Sequence, residues 1–408
     1  MIDHDQKIAS EECIEDSYIV TFKDAPAEHR AVKAQDTSAG CCECPGDEQS
    51  HAEKHAVTRR LNCKCHVVRL LPGVNAAEVL VSADEVEKLR KNPAVKSVIK
   101  NVMTTLAGSQ SNPGWALDRV DQRTPPLDSI YNWGERENVT PSQLYILDTG
   151  LDLSYPTVVA EFGGRAFVMW DREENPGRAG LDCNGHGTAV AACAIGSTYG
   201  VAKNQTAKIL KITFGCTGSS DGATSAYLVD WLATNAPRGS VISWSHAIQG
   251  TYAPLEEAIV RAFDAGIAFI AAAGNDGDYW TSHTPTRIPQ TLVAGATGTN
   301  RLSEGKDERA AFTRWGQAPN IVFAPGVNVP SMTFNGEPVA WSGTSFSAPM
   351  VSGTFARAMQ TFLNWGDYHP MSALYPWFYR DLSTHGTVVN TSGFPSSWFP
   401  DNFLYQPW

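Results

Sequence analysis

The sequence predicts an α/β protein with a doubly wound, mostly parallel sheet that is flanked by helices and preceded by a small α+β domain. After about residue 115, short apolar runs alternate with longer helical segments. A strand that is apolar on both faces belongs in a parallel sheet covered by helices on each side. Before residue 107 the pattern is that of a separate, smaller unit, and a chain of 408 residues fits two units because one core rarely grows beyond about 300 residues.

The first unit follows the order β, α, β, β, α, β, which is seen in small ferredoxin-like domains. Ser82 stands where a helix N-cap is expected, with Glu85 at the capping-box spacing. The segments that we predict are a strand at 17–24, a helix at 27–34, a cysteine-rich insertion at about 36–66, a strand at 65–71, a helix at 82–93 and a strand at 94–106.

A small, polar stretch at 107–114 marks an exposed linker, so the predicted domains are residues 1–107 and 108–408. In the second domain an amphipathic helix closed by Gly266 leads directly into a buried strand that ends at Asn275. The other buried strands are predicted at 143–148, 207–212 and 241–244. In this architecture functional sites lie at the carboxyl ends of the strands.

Composition excludes several classes of partner. The formal net charge is −11, whereas phosphate backbones and anionic membranes need a basic face. No apolar run approaches the roughly 20 residues that span a bilayer. The first twenty residues also lack the charged and apolar regions of a secretory signal. We therefore expect neither a nucleic-acid nor a membrane partner.

Nine cysteines leave at least one thiol without a partner in the same chain. Six of them lie in the first quarter, where His51 and His55 are also found, so a zinc site is one interpretation. Their spacing matches no standard zinc finger, which favours disulfides or plain thiols. Sequons at Asn138, Asn204 and Asn390 would permit glycosylation of a secreted chain.

Four polar residues stand at predicted ends of strands and helices. Asp148 follows the apolar run LYIL and could equally be a turn aspartate, while His186 lies between two glycines and could be an ordinary loop histidine. Asn275 follows a buried strand and Gly274. Ser345 precedes a segment predicted to be helical from about Ala348, where a serine is ordinarily an N-cap but also stands beside unpaired amides.

Together these residues occur in the order Asp, His, Asn, Ser, and the sequence around them resembles the subtilisin-like serine proteases, most closely the proteinase K group. The resemblance runs from about residue 115 to the end. The first hundred residues resemble the inhibitory propeptide of that family (inhibitor I9 type), chiefly through YIVTFKD and VSADEVEKLRKNPAVKSVIKN. The matching stretches of the second domain are DTG, NGHGT, STYGVAK, AAAGND, VAGAT, FAPGV and SGTSFSAPMVSG.

The resemblance implies a role for each of the four residues. His186 would be the general base, Asp148 would hold its imidazole, and Ser345 would attack the scissile carbonyl. The amide of Ser345 and the side chain of Asn275 would form the oxyanion hole. Extended substrate would pair with the chain at Ser243, Trp244, Ser245, His246, Ala272, Ala273 and Gly274.

The sequence departs from the family pattern at several of these sites. Ala189, Phe346 and Met350 stand where the family has His, Met and His, which predicts altered packing around intact catalytic groups. Trp244 and His246 replace smaller residues on the substrate-binding strand. Gly298 stands where a calcium-ligating Asp is often found, which argues against calcium at that position and leaves a structural calcium ion at another oxygen-rich site as an open alternative, and catalysis needs no cofactor.

We therefore expect a monomeric serine endopeptidase that cuts protein or peptide substrates. The resemblance implies that it is secreted, whereas the sequence shows no secretory signal, so an enzyme that acts inside the cell is the alternative. The peptidase would be made as a zymogen whose own propeptide inhibits it until self-cleavage leaves a new amino terminus at residues 104–112. The alternative is a catalytically inactive binding or inhibitor protein with a protease fold. A lipase-like α/β-hydrolase is excluded because the segment GTSFS lacks the last glycine of G-x-S-x-G.

Overall fold

The structure is a computed structural model that describes residues 13–23, 51–62, 64–71, 75–102, 107–134, 142–173, 180–279, 282–316, 320–364, 370–384, 388–389 and 403–406. The chain divides into two compact units, Met1–Thr105 and Leu106–Trp408. The division falls two residues before the boundary predicted from the sequence.

The first unit has the predicted ferredoxin-like order. Where it is described, its four strands form an antiparallel sheet in the order β2-β3-β1-β4, and both helices contribute side chains to one core with that sheet. The elements are β1 (Cys13–Phe22), α1 (His51–Leu61), β2 (His66–Leu71), β3 (Ala76–Leu80), α2 (Ala83–Lys91) and β4 (Val95–Val102).

The first helix differs from the prediction. The segment 27–34 lies outside the described residues, and α1 instead occupies the second half of the predicted cysteine-rich insertion. Val57 and Leu61 bury its inner face in the core. Ser82 does precede α2 as its N-cap residue, but its side chain makes no cap hydrogen bond, and Glu85 instead accepts hydrogen bonds from Lys64 N and Lys88 Nζ.

The second unit is built around one large sheet. Among its described residues, nine strands follow the order β19-β21-β16-β14-β12-β10-β7-β9-β8, and β15 and β20 attach beside β14. Every neighbouring pair from β21 to β8 is parallel. The strands of this unit are β5 (Ala107–Ser111), β6 (Ile130–Gly134), β7 (Leu144–Asp148), β8 (Ala166–Asp171), β9 (Ala207–Lys211), β10 (Val241–Trp244), β11 (Ile248–Gln249), β12 (Ala268–Ala272), β13 (His283–Thr284), β14 (Thr291–Gly298), β15 (Asp307–Arg309), β16 (Ile321–Pro325), β17 (Val329–Met332), β18 (Pro338–Trp341), β19 (Ser383–Thr384), β20 (Val388–Val389) and β21 (Phe403–Leu404).

Helices cover both faces of this sheet, which confirms the doubly wound architecture. Successive residues of β7 enter different cores: Leu144 and Ile146 pack into one, and Tyr145 and Leu147 into the other. α5 and α8 contribute to the first core, and α6 and α7 to the second. The helices are α3 (Trp115–Val120), α4 (Pro156–Phe162), α5 (His186–Ile195), α6 (Gly222–Asn235), α7 (Ala253–Asp264), α8 (Thr344–Asn364) and α9 (Met371–Asp381).

Two helix boundaries shape the site. Gly266, at a φ of 83°, follows α7, and the hydrogen bond from Ile267 N to Ala262 O directs the chain straight into β12. α8 begins at Thr344, four residues before the predicted start. Gly343 has a φ of 147°, which a side chain rarely permits, and it turns the chain into that helix.

Within the part of the chain that the structure describes, no helix is both long enough and apolar enough to cross a membrane.

Candidate active site

Asp148 and His186 meet at the carboxyl end of strand β7. Asp148 is the last residue of that strand and is fully buried, and His186 is the first residue of α5. His186 Nδ1 lies 2.7 Å from Asp148 Oδ1, and the same oxygen accepts a hydrogen bond from Thr149 N at 2.7 Å. The carboxylate therefore fixes which imidazole nitrogen faces it, which leaves Nε2 for chemistry.

A second buried carboxylate, Asp182, organises the loop before His186. It accepts hydrogen bonds from the amides of Gly185 and Thr188 at 2.8 Å and from Thr149 Oγ1 at 2.9 Å. Thr149 Oγ1 in turn accepts from Gly187 N at 2.7 Å. The turn after β7 and the start of α5 are thus joined through one anion, a role that the sequence did not reveal.

The charges of these carboxylates act on the imidazole of His186. Burial alone would favour its neutral form, but the charge of Asp148, the hydrogen bond to it and the charge of Asp182 outweigh burial and raise the pKa of His186 above 6.5. For Asp148, burial opposes ionisation, yet His186 holds the pKa of that carboxyl below its usual value.

These shifts predict an acidic limit to activity. His186 is the expected general base and must be neutral to act as one, so kcat/KM should rise with pH through an apparent pKa above 6.5. Asp182→Asn removes one of the raising charges and should move that midpoint to lower pH. The measurement is a pH profile with a peptide substrate that has no titrating group near neutrality. A wild-type midpoint below 6.5, or one that rises in the variant, would contradict this assignment.

A second imidazole near this pair titrates apart from it. Burial lowers the pKa of His246, the charge of Asp148 opposes that shift, and the charge of His186 adds to it. The Nε2 atom of His246 lies 3.2 Å from Gly218 O. The acidic limit should therefore report His186.

Ser345 lies in the first turn of α8 and is 7% exposed. The imidazole of His186 packs beside the next residue, with ring centroids 5.5 Å apart between His186 and Phe346. The amides of a first helical turn have no hydrogen-bond partner within the helix. The main-chain N–H of Ser345 is therefore a donor that lies next to the hydroxyl of the same residue. Phe346 also stacks on Trp341, and Ala189 and Met350 are buried in the same core, so the three departures from the family pattern are packing positions.

The two neighbouring serines have other contacts. Ser342 Oγ accepts a hydrogen bond from Asn328 N at 2.9 Å. Ser347 is fully buried, and its Oγ donates to the carbonyls of Ala324 and Pro325 on β16. Both side chains thus connect the start of α8 to the adjoining strand and loop.

Pro349 lies inside α8, and its missing N–H leaves the carbonyl of Ser345 without its helical donor. Ser245 Oγ donates to that carbonyl at 3.3 Å. A side chain from the predicted substrate-binding segment therefore contacts the backbone of the predicted nucleophile.

Asn275 is exposed at the end of the segment that follows β12, and its side-chain orientation is fixed. Its Oδ1 accepts hydrogen bonds from Thr344 N at 2.8 Å and Thr344 Oγ1 at 2.9 Å. The amide Nδ2 is therefore the free donor, and it faces Gly343, where a side-chain β-carbon would lie 3.3 Å from it. The donor and the first turn of α8 thus lie on the same side of the site.

The structure also brings the predicted substrate-binding residues together. β10 and β12 are adjacent parallel strands, with Ser243 opposite Ile270 and Trp244 opposite Ala271. Ser245 and His246 are partly exposed, whereas Trp244 is 1% exposed and packs against Phe269 in the second core. Ala272 and Ala273 are buried, and Gly274 is partly exposed. Any contact of substrate with Trp244, Ala272 or Ala273 would be made through the main chain.

A disulfide between Cys183 and Cys216 ties the loop before His186 to the 214–219 loop. Asn184 Nδ2 adds a hydrogen bond to Cys216 O at 3.0 Å. Cys193, in α5, is buried and free. Of the cysteines in the first unit, Cys65 is disulfide-bonded, which argues against the zinc interpretation at that residue, while Cys41, Cys42, Cys44 and Cys63 lie outside the described residues.

Removing this disulfide should lower the free energy of unfolding. Its sequence separation of 33 gives a loop-closure contribution of about 3 to 4 kcal/mol to the free energy of unfolding. We expect Cys183→Ser/Cys216→Ser to lose that amount in denaturant unfolding measured in a Ser345→Ala background, which prevents self-digestion. Cys193→Ala breaks no disulfide and should cost about 1 kcal/mol. Equal losses in the two variants would show that the cross-link contributes nothing specific.

The described residues offer no group of three or more His, Cys, Asp or Glu side chains that could hold a metal ion. Gly298 ends β14, and a β-carbon there would lie 3.3 Å from the side chain of Val327. The position at which the family often has a calcium ligand thus faces an apolar neighbour.

The chain order Asp, His, Ser on a mostly parallel, doubly wound sheet is that of the subtilisin-type serine peptidases, and it differs from the orders found in chymotrypsin and in the α/β-hydrolases. Comparison with known proteins agrees with this class. The subtilase family profile matches residues 143–393. The chain therefore belongs to the subtilase family.

Individual relatives support the assignment. Alkaline serine exoprotease A of Vibrio alginolyticus is 34% identical over 288 residues, which are 69% of this chain and 51% of the relative, so the chain spans about half the length of that protein. An extracellular serine proteinase of Thermus sp. (strain Rt41A) is 32% identical over 71% of this chain and 67% of its own length. The cuticle-degrading serine protease of Arthrobotrys oligospora is 28% identical over 84% of this chain and 80% of its own length.

Solved structures agree with the fold. A cold adapted subtilisin-like serine proteinase superposes with a TM-score of 0.61 at 31% identity and covers 72% of this chain and 99% of its own. Sphericase superposes with a TM-score of 0.54 at 20% identity and supports the fold alone.

Proposed function

We propose that this subtilase hydrolyses peptide bonds through a triad of Asp148, His186 and Ser345. The observation that carries the proposal is the 2.7 Å contact between a buried carboxylate and an imidazole that packs beside the helix start holding Ser345. Each group stands on a different element, and these elements meet at the carboxyl edge of the sheet, where this architecture places its sites.

The chemistry follows from these positions. Ser345 Oγ attacks the scissile carbonyl while its proton passes to His186 Nε2, and the same proton then passes to the leaving amine. The acyl-enzyme that remains is hydrolysed by water with His186 again as the base. Asp148 holds Nδ1 and stabilises the imidazolium in both steps. No step needs a cofactor.

The negative charge that forms on the carbonyl oxygen is met by two donors, the amide of Ser345 and Asn275 Nδ2. Because Thr344 occupies the oxygen of the Asn275 amide, Nδ2 needs no rearrangement at the moment of reaction. Donors fixed in advance are what makes an oxyanion hole effective.

An extended stretch of protein or peptide substrate would lie along residues 243–246 and 272–274. The buried Trp244 fills the interior beneath this strand, so main-chain pairing would contribute more to binding there than a deep side-chain pocket. Ser245 and His246 are the partly exposed side chains of the segment and are the residues we assign to selectivity.

The first unit is proposed to be an inhibitory propeptide that is removed by self-cleavage. Its ferredoxin-like sheet is complete in the described residues up to Val102. Residues 107–111 belong to the second unit instead, because β5 pairs with β6 and Gln110 Nε2 donates to Thr198 O. A cut after residue 107 would remove part of that strand, which favours a new amino terminus at 104–107 within the range expected from the sequence.

The protein is also proposed to be secreted and monomeric. The Thermus relative is named an extracellular proteinase, which supports secretion, and the monomer remains the expectation drawn from the sequence.

Labelling with a fluorophosphonate probe tests the proposal. The probe should modify Ser345, as located by peptide mass spectrometry, in wild type and in Ser342→Ala alike. Intact-mass measurement of the same sample should show a new terminus at 104–107. A chain that remains uncut and unlabelled while it binds peptides would instead support the inactive binding protein.

A further inference from the structure

A charged pair lies directly behind the loop that carries Asn275. Arg314 donates from Nε to Asp276 Oδ1 at 2.7 Å and from Nη2 to Asp276 Oδ2 at 2.6 Å. The Arg314 side chain is 7% exposed and that of Asp276 is 49% exposed. A bidentate pair with one buried partner is much better ordered than a single surface contact. Asp276 is the residue that follows Asn275.

The same arginine holds the residue that precedes Asn275. Arg314 N donates to Gly274 O at 3.1 Å. Gly274 has a φ of 109°, and a β-carbon there would lie 2.4 Å from Arg314 Nε, so the guanidinium rests against the bare α-carbon. Arg314 therefore contacts both neighbours of Asn275: its main chain bonds to Gly274 on one side, and its side chain pairs with Asp276 on the other.

The neighbouring residue extends this contact along the loop. Trp315 N donates to Asp278 O at 3.0 Å, and Trp315 Nε1 donates to Gly277 O at 2.7 Å. Gly277 N returns a bond to Phe312 O at 2.8 Å. The 312–315 segment therefore determines the path of the backbone from Gly274 to Asp278.

Thr344 sets the rotation of the Asn275 amide, but the position of its α-carbon depends on this backbone path. We propose that Arg314, through its bidentate pair with Asp276, is a positioning residue for the oxyanion donor Asn275. The inference rests on the proposed function, since it presumes that Asn275 Nδ2 meets the oxyanion. It adds a residue that itself touches neither the substrate nor the triad.

Charge gives the pair a second effect. Asp276 places a carboxylate next to the site where negative charge develops, and Arg314 holds the pKa of that carboxyl well below its usual range, so it stays ionised. Without the guanidinium, this anion would oppose the oxyanion. The arginine therefore fixes the loop and neutralises the charge that the loop carries.

The test compares the effect of Arg314→Gln with Asn275 present and absent. Kinetic constants would be measured with a peptide substrate, with enzyme concentration set by fluorophosphonate titration so that misfolded protein is not counted. Losing one oxyanion donor costs about 10²- to 10³-fold in kcat. Misplacing it should cost less, and we expect Arg314→Gln to lower kcat about 10- to 30-fold with KM within two-fold. In an Asn275→Ala background the same substitution should lower kcat by less than about three-fold, because the donor is already absent and only the uncompensated charge of Asp276 still acts.

Two further variants separate position from charge. Arg314→Lys keeps the charge but loses the bidentate contact, and Arg314→Gln/Asp276→Asn removes both charges. Because Arg314 is proposed to act by position, both variants should remain about 5- to 10-fold impaired in kcat, and wild-type kcat in both would overturn the proposal. Equal losses with and without Asn275, or a loss confined to KM or to the titrated enzyme concentration, would overturn the proposal. If Asn275→Ala keeps the wild-type kcat, the positioning proposal is overturned, and labelling of Ser345 in the same protein would still support the peptidase. If the probe does not label the wild-type protein, the proposed function itself is refuted.

Discussion

Replacing Ser345 with alanine is expected to lower kcat on the order of 10⁶-fold, the scale on which loss of the nucleophile acts in subtilisin. The physical reason is that the acyl-enzyme can no longer form. The residual rate should stay above that of the uncatalysed reaction, because Asn275 and the amide at position 345 would still meet the oxyanion. The measurement is kcat on a chromogenic peptide, together with the intact mass of the expressed chain.

The matched control is Ser342→Ala, three residues away and exposed, which loses only its contact with Asn328. It should keep a kcat close to that of wild type and should be processed to the same terminus. Ser345→Ala should remain a full-length chain if cleavage is self-catalysed. Normal processing of purified Ser345→Ala in the absence of any other protease would show that the cut is not made by this residue.

Asp148→Asn is expected to lower kcat about 10⁴-fold while changing KM little. The side-chain amide introduced at position 148 can donate its N–H to His186 Nδ1, so Nδ1 acts as the acceptor. The imidazole then carries its own proton on Nε2, and Nε2 can no longer accept the proton of Ser345. The variant should also lose the charge that raises the pKa of His186. The measurement is the pair kcat and KM across pH, because a loss of binding would appear in KM.

Asp152→Asn provides the comparison. Asp152 is a buried carboxylate four residues further along, and its Oδ1 accepts hydrogen bonds from Ser154 N and Oγ. It has the same chemistry without the imidazole, so its replacement should change kcat by only a few-fold. If the two variants lost kcat equally, the effect of Asp148 would be one of local folding and not of catalysis.

The central sheet could be predicted from the sequence because its strands are buried on both faces and read as continuous apolar runs. The predicted strands at 143–148, 207–212 and 241–244 each match an observed strand to within one residue. The first unit was less legible. α1 is polar in sequence over most of its length, and the side chains that it is seen to contribute to the core are Val57 and Leu61, so its residues resemble an insertion.

The candidate site divides in the same way. Asp148, His186, Asn275 and Ser345 stand beside glycines at the ends of elements, and that local pattern is visible in the sequence. Contacts between distant residues are not. Nothing local pairs Arg314 with Asp276, Ser245 with the carbonyl of Ser345, or Cys183 with Cys216, because side-chain chemistry alone leaves many equivalent partners.

The start of α8 shows why boundaries are hard to predict. The sequence predicts a helix from about Ala348, with Pro349 near its start, yet α8 begins at Thr344. Hydrogen bonds to other parts of the chain compensate: Ser347 reaches β16, and Ser245 supplies the donor that Pro349 lacks. The extra turn is what places Ser345 at the unpaired amides of a helix terminus.

The parallel order of the central strands also sets an expectation for how quickly residues 106–408 reach this state. Leu144 on β7 pairs with Val241 on one side and with Ala207 on the other. Both partners lie far along the chain, so large loops must close before these strands can pair. Such a topology folds slowly and exposes unpaired edges meanwhile. A covalently attached propeptide, the role proposed above for the first unit, can speed this folding reaction and is then removed by cleavage, and the folded structure stays the same. The lifetime of the processed enzyme would then be governed by its rate of unfolding, because a molecule that unfolds without its propeptide refolds slowly.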